Sequence, residues 1–363
     1  MRYSIEGEDK MKKLLCWILT LTMLVTVTSC AWFGPEKYYV GEDIAKLIVH
    51  FIDVGQGDSV LLESNGEFVL IDAGERDYGD KVLNYIKNRG ADELKYVIAT
   101  HPHSDHIGGM KTVINGIDAE NFITVETDCS TYTWTKLLTA VDNNDINYID
   151  AEVGDTYTFG EATFTIMGPL SDSYNGYNNY SVVTKVECGD VSFMLTGDAE
   201  KESEYEMVAA GEDLSADVLK CGHHGSSTSN TAKFLKAVNP AYAVISCGKN
   251  NDYGHPHKET MQKLNALGCD IFRTDTMGTI VACTDGKALT FSAQDSDLTS
   301  YTYNSGEDRS TDGLNYIGNQ SSHVFHYSTC SGAKTMNEKN KIVFENREDA
   351  IKAGYKPCSS CNP

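Results

Sequence analysis

The feature that most limits what this chain can fold into is the run His101-Pro102-His103-Ser104-Asp105-His106-Ile107-Gly108-Gly109. Three imidazoles and a carboxylate within six residues suit zinc, manganese or iron. Pro102 stiffens the turn, and Gly108-Gly109 let the backbone bend tightly behind it. The apolar run Tyr96-Val97-Ile98-Ala99 immediately before it reads as a buried strand. The donors therefore leave the end of a rigid strand and sit on a loop, a usual place for chemistry on a layered α/β scaffold. A solvated loop that is merely rich in histidine is the competing reading, and donors further along the chain argue against it.

Several such donors follow apolar runs. Leu195-Thr196-Gly197-Asp198 puts an aspartate just beyond one, Leu219-Lys220-Cys221-Gly222-His223-His224 a histidine pair beyond another, and Leu70-Ile71-Asp72 an aspartate beyond a third. Groups at strand ends can meet on one edge of a sheet.

From Ile44 to about Ala293 strands and helices alternate. Strands are read at Leu47–Val54, Ser59–Leu62 and Phe68–Gly74, the last two joined by an Asn65-Gly66 turn, so three adjacent antiparallel strands are expected. The spacing of Val82, Leu83, Tyr85 and Ile86 predicts a helix. Later strands are read at Phe122–Val125, Thr156–Met167, Ser181–Cys188, Val191–Leu195, Ala216–Cys221, Ala241–Cys247 and Thr279–Cys283, with helices over Thr231–Val238 and Lys258–Leu267. Hairpins mixed with βα units suggest a sheet sandwich covered by helices.

These residues carry a resemblance. Phe51-Ile-Asp-Val-Gly-Gln-Gly-Asp58-Ser59, Leu70-Ile-Asp72-Ala-Gly, Thr100-His-Pro-His-Ser-Asp-His106, Asn178-Asn-Tyr-Ser181, Leu195-Thr-Gly-Asp198, Lys220-Cys-Gly-His-His-Gly-Ser226 and Gly254-His-Pro-His257 follow in the order found in the metallo-β-lactamase superfamily. More narrowly, the stretch 44–293 is similar to the hydrolase domain of ComEC-type competence proteins. The resemblance implies an αββα sandwich and two divalent metals. His101 and His103 are expected on one, Asp105, His106 and a histidine of the His223/His224 pair on the other, with Asp198 between them. Which of the pair is the ligand stays open, as does substrate contact by the other. Asp72 is expected to support the ligand loop from behind, with a plain turn former as the alternative. The wider superfamily has a third histidine for the first metal. None occurs here between His106 and His223; Asn178 or Asn179 occupies that stretch. Zinc is favoured by the imidazoles and manganese stays open.

The implied chemistry is hydrolysis by a metal-bound hydroxide, formed near pH ~7 and able to attack a phosphorus or carbonyl centre. Asp105 or Asp198 is expected to orient the nucleophile. His255, just ahead of a helix whose amino end can receive an anion, is expected either to touch substrate or to serve as a structural histidine. Ser226-Ser227-Thr228 is read either as a holder of phosphate oxygen or as a cap.

Composition restricts the partners. The formal net charge is −22, and because residues 1–29 carry +1 and residues 323–363 carry +2, the stretch between holds about −25. Such a surface repels long polyanions unless metals or a local basic patch admit a phosphodiester. Cys188, Cys221, Cys247 and Cys283 lie in apolar runs and read as buried thiols.

Both ends read as separate pieces. Lys12-Lys13, an apolar run from Leu14 to Val27 and the ending Val27-Thr28-Ser29-Cys30 describe an export signal, 1–30, that resembles the lipobox of bacterial lipoproteins. Cys30 would then carry lipid, and the body would lie outside the cytoplasm, tethered to the membrane; an uncleaved anchor is the alternative. Residues 31–43 read as a linker, as does the polar stretch 294–322. In 323–363, His326-x-x-x-Cys330 followed by Cys358-x-x-Cys361 describes a closed zinc site stapling a strand and a helix. This tail resembles the metal-binding domain of the Ada repair protein, with His326 where Ada has cysteine; His323 is a weaker alternative ligand, and disulfides are the rival reading.

The expectation is an exported dinuclear hydrolase, a phosphodiesterase or nuclease acting on DNA, with a zinc-stapled tail. A phosphorylcholine-type esterase on cell-surface groups and a non-catalytic metal-binding surface protein remain as alternatives.

Overall fold

The computed structural model describes residues 39–295, 303–304, 315–328, 330–344, 347–359 and 361. The stretch 1–30 read as an export signal, with Cys30, lies outside them.

The described strands form two large sheets and a small one. In chain order, β1 (Leu47–Phe51), β2 (Val60–Ser64), β3 (Glu67–Ile71), β4 (Glu93–Ile98), β5 (Asp118–Thr124) and β6 (Asn147–Asp150) lie in the first. β7 (Thr156–Phe159), β8 (Ala162–Gly168), β9 (Val183–Cys188), β10 (Val191–Leu195), β11 (Val218–Lys220), β12 (Tyr242–Ile245) and β13 (Asp270–Arg273) make the second. β14 (Ile280–Thr284), β15 (Ala288–Ala293) and β16 (Tyr303–Asn304) return to the first, where β14 pairs with β1. β1, β2 and β3 are antiparallel neighbours, while β3 to β6 and β10 to β13 run parallel.

The side-chain alternation of each strand explains the layering. Val49, Phe51, Leu62, Val69 and Ile71 from the first sheet meet Phe164, Ile166, Phe193 and Leu195 from the second in one core between the sheets. The intervening Leu61, Phe68 and Leu70 face the helices Gly79–Asn88, Met110–Ile114 and Tyr132–Asn143. Met194, Leu219 and Ala243 likewise face Lys201–Ala210, Ala232–Val238 and Lys258–Leu267. Strands covered on both faces read as unbroken apolar runs, which is why these were visible in the sequence. The result is helix, sheet, sheet, helix.

Two readings need correction. Thr156–Met167 is not one strand but a hairpin: Gly160-Glu161 turns the chain between β7 and β8, and the Gly160 amide donates to Glu67 at 2.7 Å. The linker read at 294–322 contains β17 (Tyr316–Asn319), which pairs with β18 (Val324–Tyr327) and β19 (Lys341–Phe344); β20 (Lys356–Pro357) completes the small sheet. The tail's sheet therefore begins before residue 323. Its Tyr316, Tyr327 and Ala350 continue the apolar layer of Phe234, Leu264 and Leu267, and Lys236 Nζ donates to Asn315 Oδ1 at 2.7 Å.

Gly109 shows how closely the metal-motif loop is packed. A Cβ there would lie 2.3 Å from the Ala73 carbonyl oxygen and 2.9 Å from Gly79 Cα. Both obstacles are backbone, so Gly109→Ala should cost about 1–3 kcal/mol, read as a lower denaturation midpoint. An unchanged midpoint would show that the loop yields freely.

Candidate functional site

The donors are assembled by strand ends. β4 ends at Ile98 and delivers His101 and His103, and the one-turn helix Ser104–Ile107 carries Asp105 and His106. β10 delivers Asp198, and β11 delivers the histidine pair. These are carboxyl ends of parallel strands, the usual edge for chemistry in such sheets.

Asp198 is the point on which they converge. Its Oδ1 lies 3.2 Å from His106 Nε2 and 3.6 Å from His224 Nε2; its Oδ2 lies 3.9 Å from His101 Nε2 and 3.7 Å from His223 Nε2. His101 Nε2 and His103 Nδ1 face one another at 2.9 Å. Asp105 Oδ2 approaches His224 Nε2 at 3.2 Å and His106 Nε2 at 4.0 Å. The histidine pair therefore divides: His224, buried, joins Asp105 and His106, whereas His223, more open, turns its Nδ1 to Glu200 at 3.2 Å and Thr228 at 3.1 Å.

The donor set fits divalent cations. His106 Nε2 and Asp198 Oδ1 are enclosed and have no hydrogen-bond partner among the described residues. Asp72 fixes the tautomer that makes this so. Its Oδ2 accepts from His106 Nδ1 at 2.7 Å, leaving the Nε2 lone pair free for an ion, and its other contacts are the Thr100 amide and hydroxyl. Asp72 thus holds the His106 ring and, with a φ of 57°, also turns the chain. Two groups of donors lie close enough together to hold an ion: His101, His103 and Asp198; and His106, Asp198 and His224 with Asp58.

Without an ion, protons do the neutralising. Burial works against charge on Asp198, but His106 and His224 outweigh it and hold its carboxyl well below the usual range. Burial likewise opposes charge on His224, yet Asp198 and Asp58 hold its imidazole up at about 10. His101 and His103 are pushed down by burial.

Asp58 escaped the sequence reading as a site residue, and so did Lys220. Lys220 Nζ pairs with Asp58 Oδ2 at 2.7 Å, both buried, and Asp58 Oδ1 lies 3.2 Å from His224 Nδ1, which also reaches the Ser246 carbonyl at 3.0 Å. The Asp58 amide donates to the Asp105 carbonyl at 3.1 Å. Gly57 allows this approach: its φ is 149°, and a Cβ would lie 2.3 Å from that same carbonyl. The signal was present, since Asp58 lies in Gly55-Gln56-Gly57-Asp58 and Lys220 is a charge inside an apolar run.

The remaining expected residues separate. Asn178 reaches Glu200 at 3.2 Å and faces His223, whereas Asn179 Oδ1 accepts from the amides of Glu200 and Ser203 and so secures the start of the helix Lys201–Ala210. His255 borders the cavity with its ring 5.5 Å from that of His223, and burial pushes its pKa down to about 4. The Ser226–Thr228 turn bonds within itself and to His223. Together the centre and its rim enclose about 310 Å³, open to solvent and lined also by Gln56, Ser104 and Tyr253.

In the tail, His326, Cys330, Cys358 and Cys361 place one donor each around a common point, and His326 Nδ1 is buried without a hydrogen-bond partner among the described residues. The three thiols are not paired as disulfides. His323 is not in this cluster; its ring packs on Tyr355.

The Metallo-beta-lactamase superfamily profile matches residues 52–249, more than half of the chain. The chain belongs to the metallo-β-lactamase superfamily. As a superfamily member it has a hydrolase-type domain with a metal-binding site. Its residues 301–363 match the metal binding domain of Ada. It is 33% identical over 262 residues to ComE operon protein 3 of Bacillus subtilis, covering 67% of this chain and 34% of that protein. It is 30% identical over 237 residues to Recombination protein 2 of Haemophilus influenzae, covering 64% of this chain and 28% of that protein. The chain thus spans about a third of the length of these relatives. Exodeoxyribonuclease WalJ of Streptococcus pneumoniae is 27% identical over 181 residues, 46% of this chain and 62% of that protein.

Two outcomes are expected. Asp58→Ala strands the buried Lys220 ammonium and should cost about 3–5 kcal/mol in denaturant unfolding, while Asp58→Ala with Lys220→Met should recover most of it; equal losses would show that the pair is not coupled. Because His224 is protonated at pH 7 without an ion, divalent binding should release protons and tighten from pH 6 to pH 8. Calorimetry in two buffers of different ionisation heat checks this, and identical heats would contradict it.

Proposed function

We propose that this hydrolase is a dinuclear, metal-dependent phosphodiesterase whose substrate is DNA. The observation that carries the reading is the pair of donor groups sharing Asp198, each with imidazole and carboxylate, at the floor of an open polar cavity. Two bound divalent ions would lower the pKa of a water to about 7 and take up charge on the phosphoryl oxygens. His101 and His103 would hold one, and Asp105, His106 and His224 the other, with Asp198 common to both. His223, with its Nε2 3.7 Å from Asp198 Oδ2, is a further imidazole that could join the first group.

The chain's own groups then have distinct tasks. Asp105, at the mouth of the centre, can accept a hydrogen bond from an attacking water. His255, neutral at pH 7, can accept a hydrogen bond from Gln56 through Nδ1, 3.4 Å away, and present its other face to the substrate. The competence-related and exodeoxyribonuclease relatives and the Ada-like tail support DNA as the substrate. The acidic body favours a small zwitterionic phosphodiester instead, as a phosphorylcholine-type esterase would use. We place the protein outside the cytoplasm, held to the membrane by lipid on Cys30.

The full chain, stripped of metal and reloaded with zinc or manganese, should cut single- or double-stranded DNA. Asp105→Ala should abolish cutting, and Asp72→Asn should weaken metal affinity or rate about 10–100-fold. No cutting with either metal removes the nuclease reading. Faster turnover of a chromogenic small phosphodiester than of DNA favours the esterase.

A further inference from the structure

An acidic hydrolase that takes DNA needs one path along which the strand is not repelled. The helix Ser104–Ile107 spans about 6 Å and has a cavity at each end. Ser104 and Asp105 border the metal centre, while Ile107 and Gly108 border a second hollow of about 190 Å³. Arg76, Lys111 and Lys136 line this second hollow, and none of its nine lining residues is acidic.

Several cations elsewhere on the body are paired with acids. Lys46 pairs with Glu161, Arg89 with Glu42 and Glu63, and Arg273 with Asp275. Arg76 and Lys111 have no such partner among the described residues. Lys136 lies 5.5 Å from the ring centroid of Tyr132, which is 73% exposed, the most of any large apolar or aromatic side chain described. Tyr132 also begins the helix Tyr132–Asn143, whose amino end favours an anion. Glu75, next to Arg76 in sequence, accepts from the Ser104 hydroxyl at 3.0 Å and is so held toward the end of the connecting helix that borders the metal centre.

We propose that this hollow binds single-stranded nucleic acid leading into the metal centre, with Arg76, Lys111 and Lys136 on its phosphates and Tyr132 stacked on a base. Cations with an exposed aromatic are the combination that single strands use, charge for the backbone and a flat ring for the bases. The hollow answers the repulsion that about −25 of surrounding charge would impose. The proposal rests on the nuclease reading and adds to it the route of the substrate.

The test is fluorescence anisotropy of a labelled single-stranded oligonucleotide with the full chain across a salt series. Arg76→Ala/Lys111→Ala/Lys136→Ala should weaken binding at least about tenfold and flatten the slope of log affinity against log salt by about 2. Tyr132→Ala should weaken binding about tenfold and Tyr132→Phe should not. Lys111→Arg/Lys136→Arg should bind like the parent, which guards against misfolding as the cause. The ratio of DNA cutting to small-phosphodiester turnover should fall with the triple variant. A parent that binds and cuts DNA while the triple variant keeps its affinity and salt slope overturns the hollow and leaves the nuclease reading standing. A parent that neither binds nor cuts overturns both.

Discussion

A carboxylate as enclosed as Asp198, 2% exposed, keeps its charge only if positive charge lies against it. That requirement organises the molecule. His101 and His106 come from a loop of the first sheet, and His223 and His224 from a loop of the second, so the imidazoles that face Asp198 arrive from both halves of the sandwich. The core of Phe51, Phe164 and Phe193 between the sheets therefore does more than hold the fold. It sets the distance across which the donors face each other. A slip of one residue in β10 would turn its outward side chains inward and carry Asp198 out of reach.

The same enclosure explains the charges behind the centre. His224 must be held by its Nδ1 side if its Nε2 is to point at Asp198 and Asp105. Ser246 and Asp58 stand there, and Asp58 needs its own cation, Lys220. The chain thus places an ion pair in its interior, an arrangement that does little for stability by itself. Its value is positional: Asp58 links the Gly55–Asp58 loop, the backbone of Asp105 and the end of β11 through contacts that none of those loops could make alone.

Much of this can be read in the sequence. Strands covered on both faces show as unbroken apolar runs, and donors set directly after such runs must gather at one edge, so Asp72, the motif at 101–106, Asp198 and the histidine pair are legible as one group. What cannot be read is orientation. His223 and His224 are adjacent and chemically identical, and only the backbone decides which faces inward. Asn178 and Asn179 pose the same problem, and one enters the cavity while the other secures a helix. Asp58 and Lys220 lie 162 residues apart, and no local pattern announces that they touch. The hairpin at 156–168 is hidden because both of its strands share one run of β-formers, and the single Gly160 carries the turn. The strand Tyr316–Asn319 is too short and too polar to stand out from the linker beside it.

The division of the histidine pair has a physical cause. His223 and His224 both have left-handed backbones, with φ of 51° and 55°. Non-glycine residues adopt that region at a cost, typically of order 1–3 kcal/mol each when strained, and two in succession need strong support. Asn230 supplies it, accepting from the Gly222 amide at 3.0 Å and donating to the Gly222 carbonyl at 2.9 Å, while its own amide is held by the buried Glu204. In an extended backbone, neighbouring side chains point to opposite faces, and one imidazole would be lost to the interior. In a helix they diverge by about 100° around the axis. The left-handed turn instead brings both rings to Asp198, one to each oxygen, with ring centroids 6.0 Å apart. A chain without the earlier histidine can thereby present an imidazole to each side of the shared carboxylate from a single dipeptide, and the strain at 223–224 is what that economy of sequence requires.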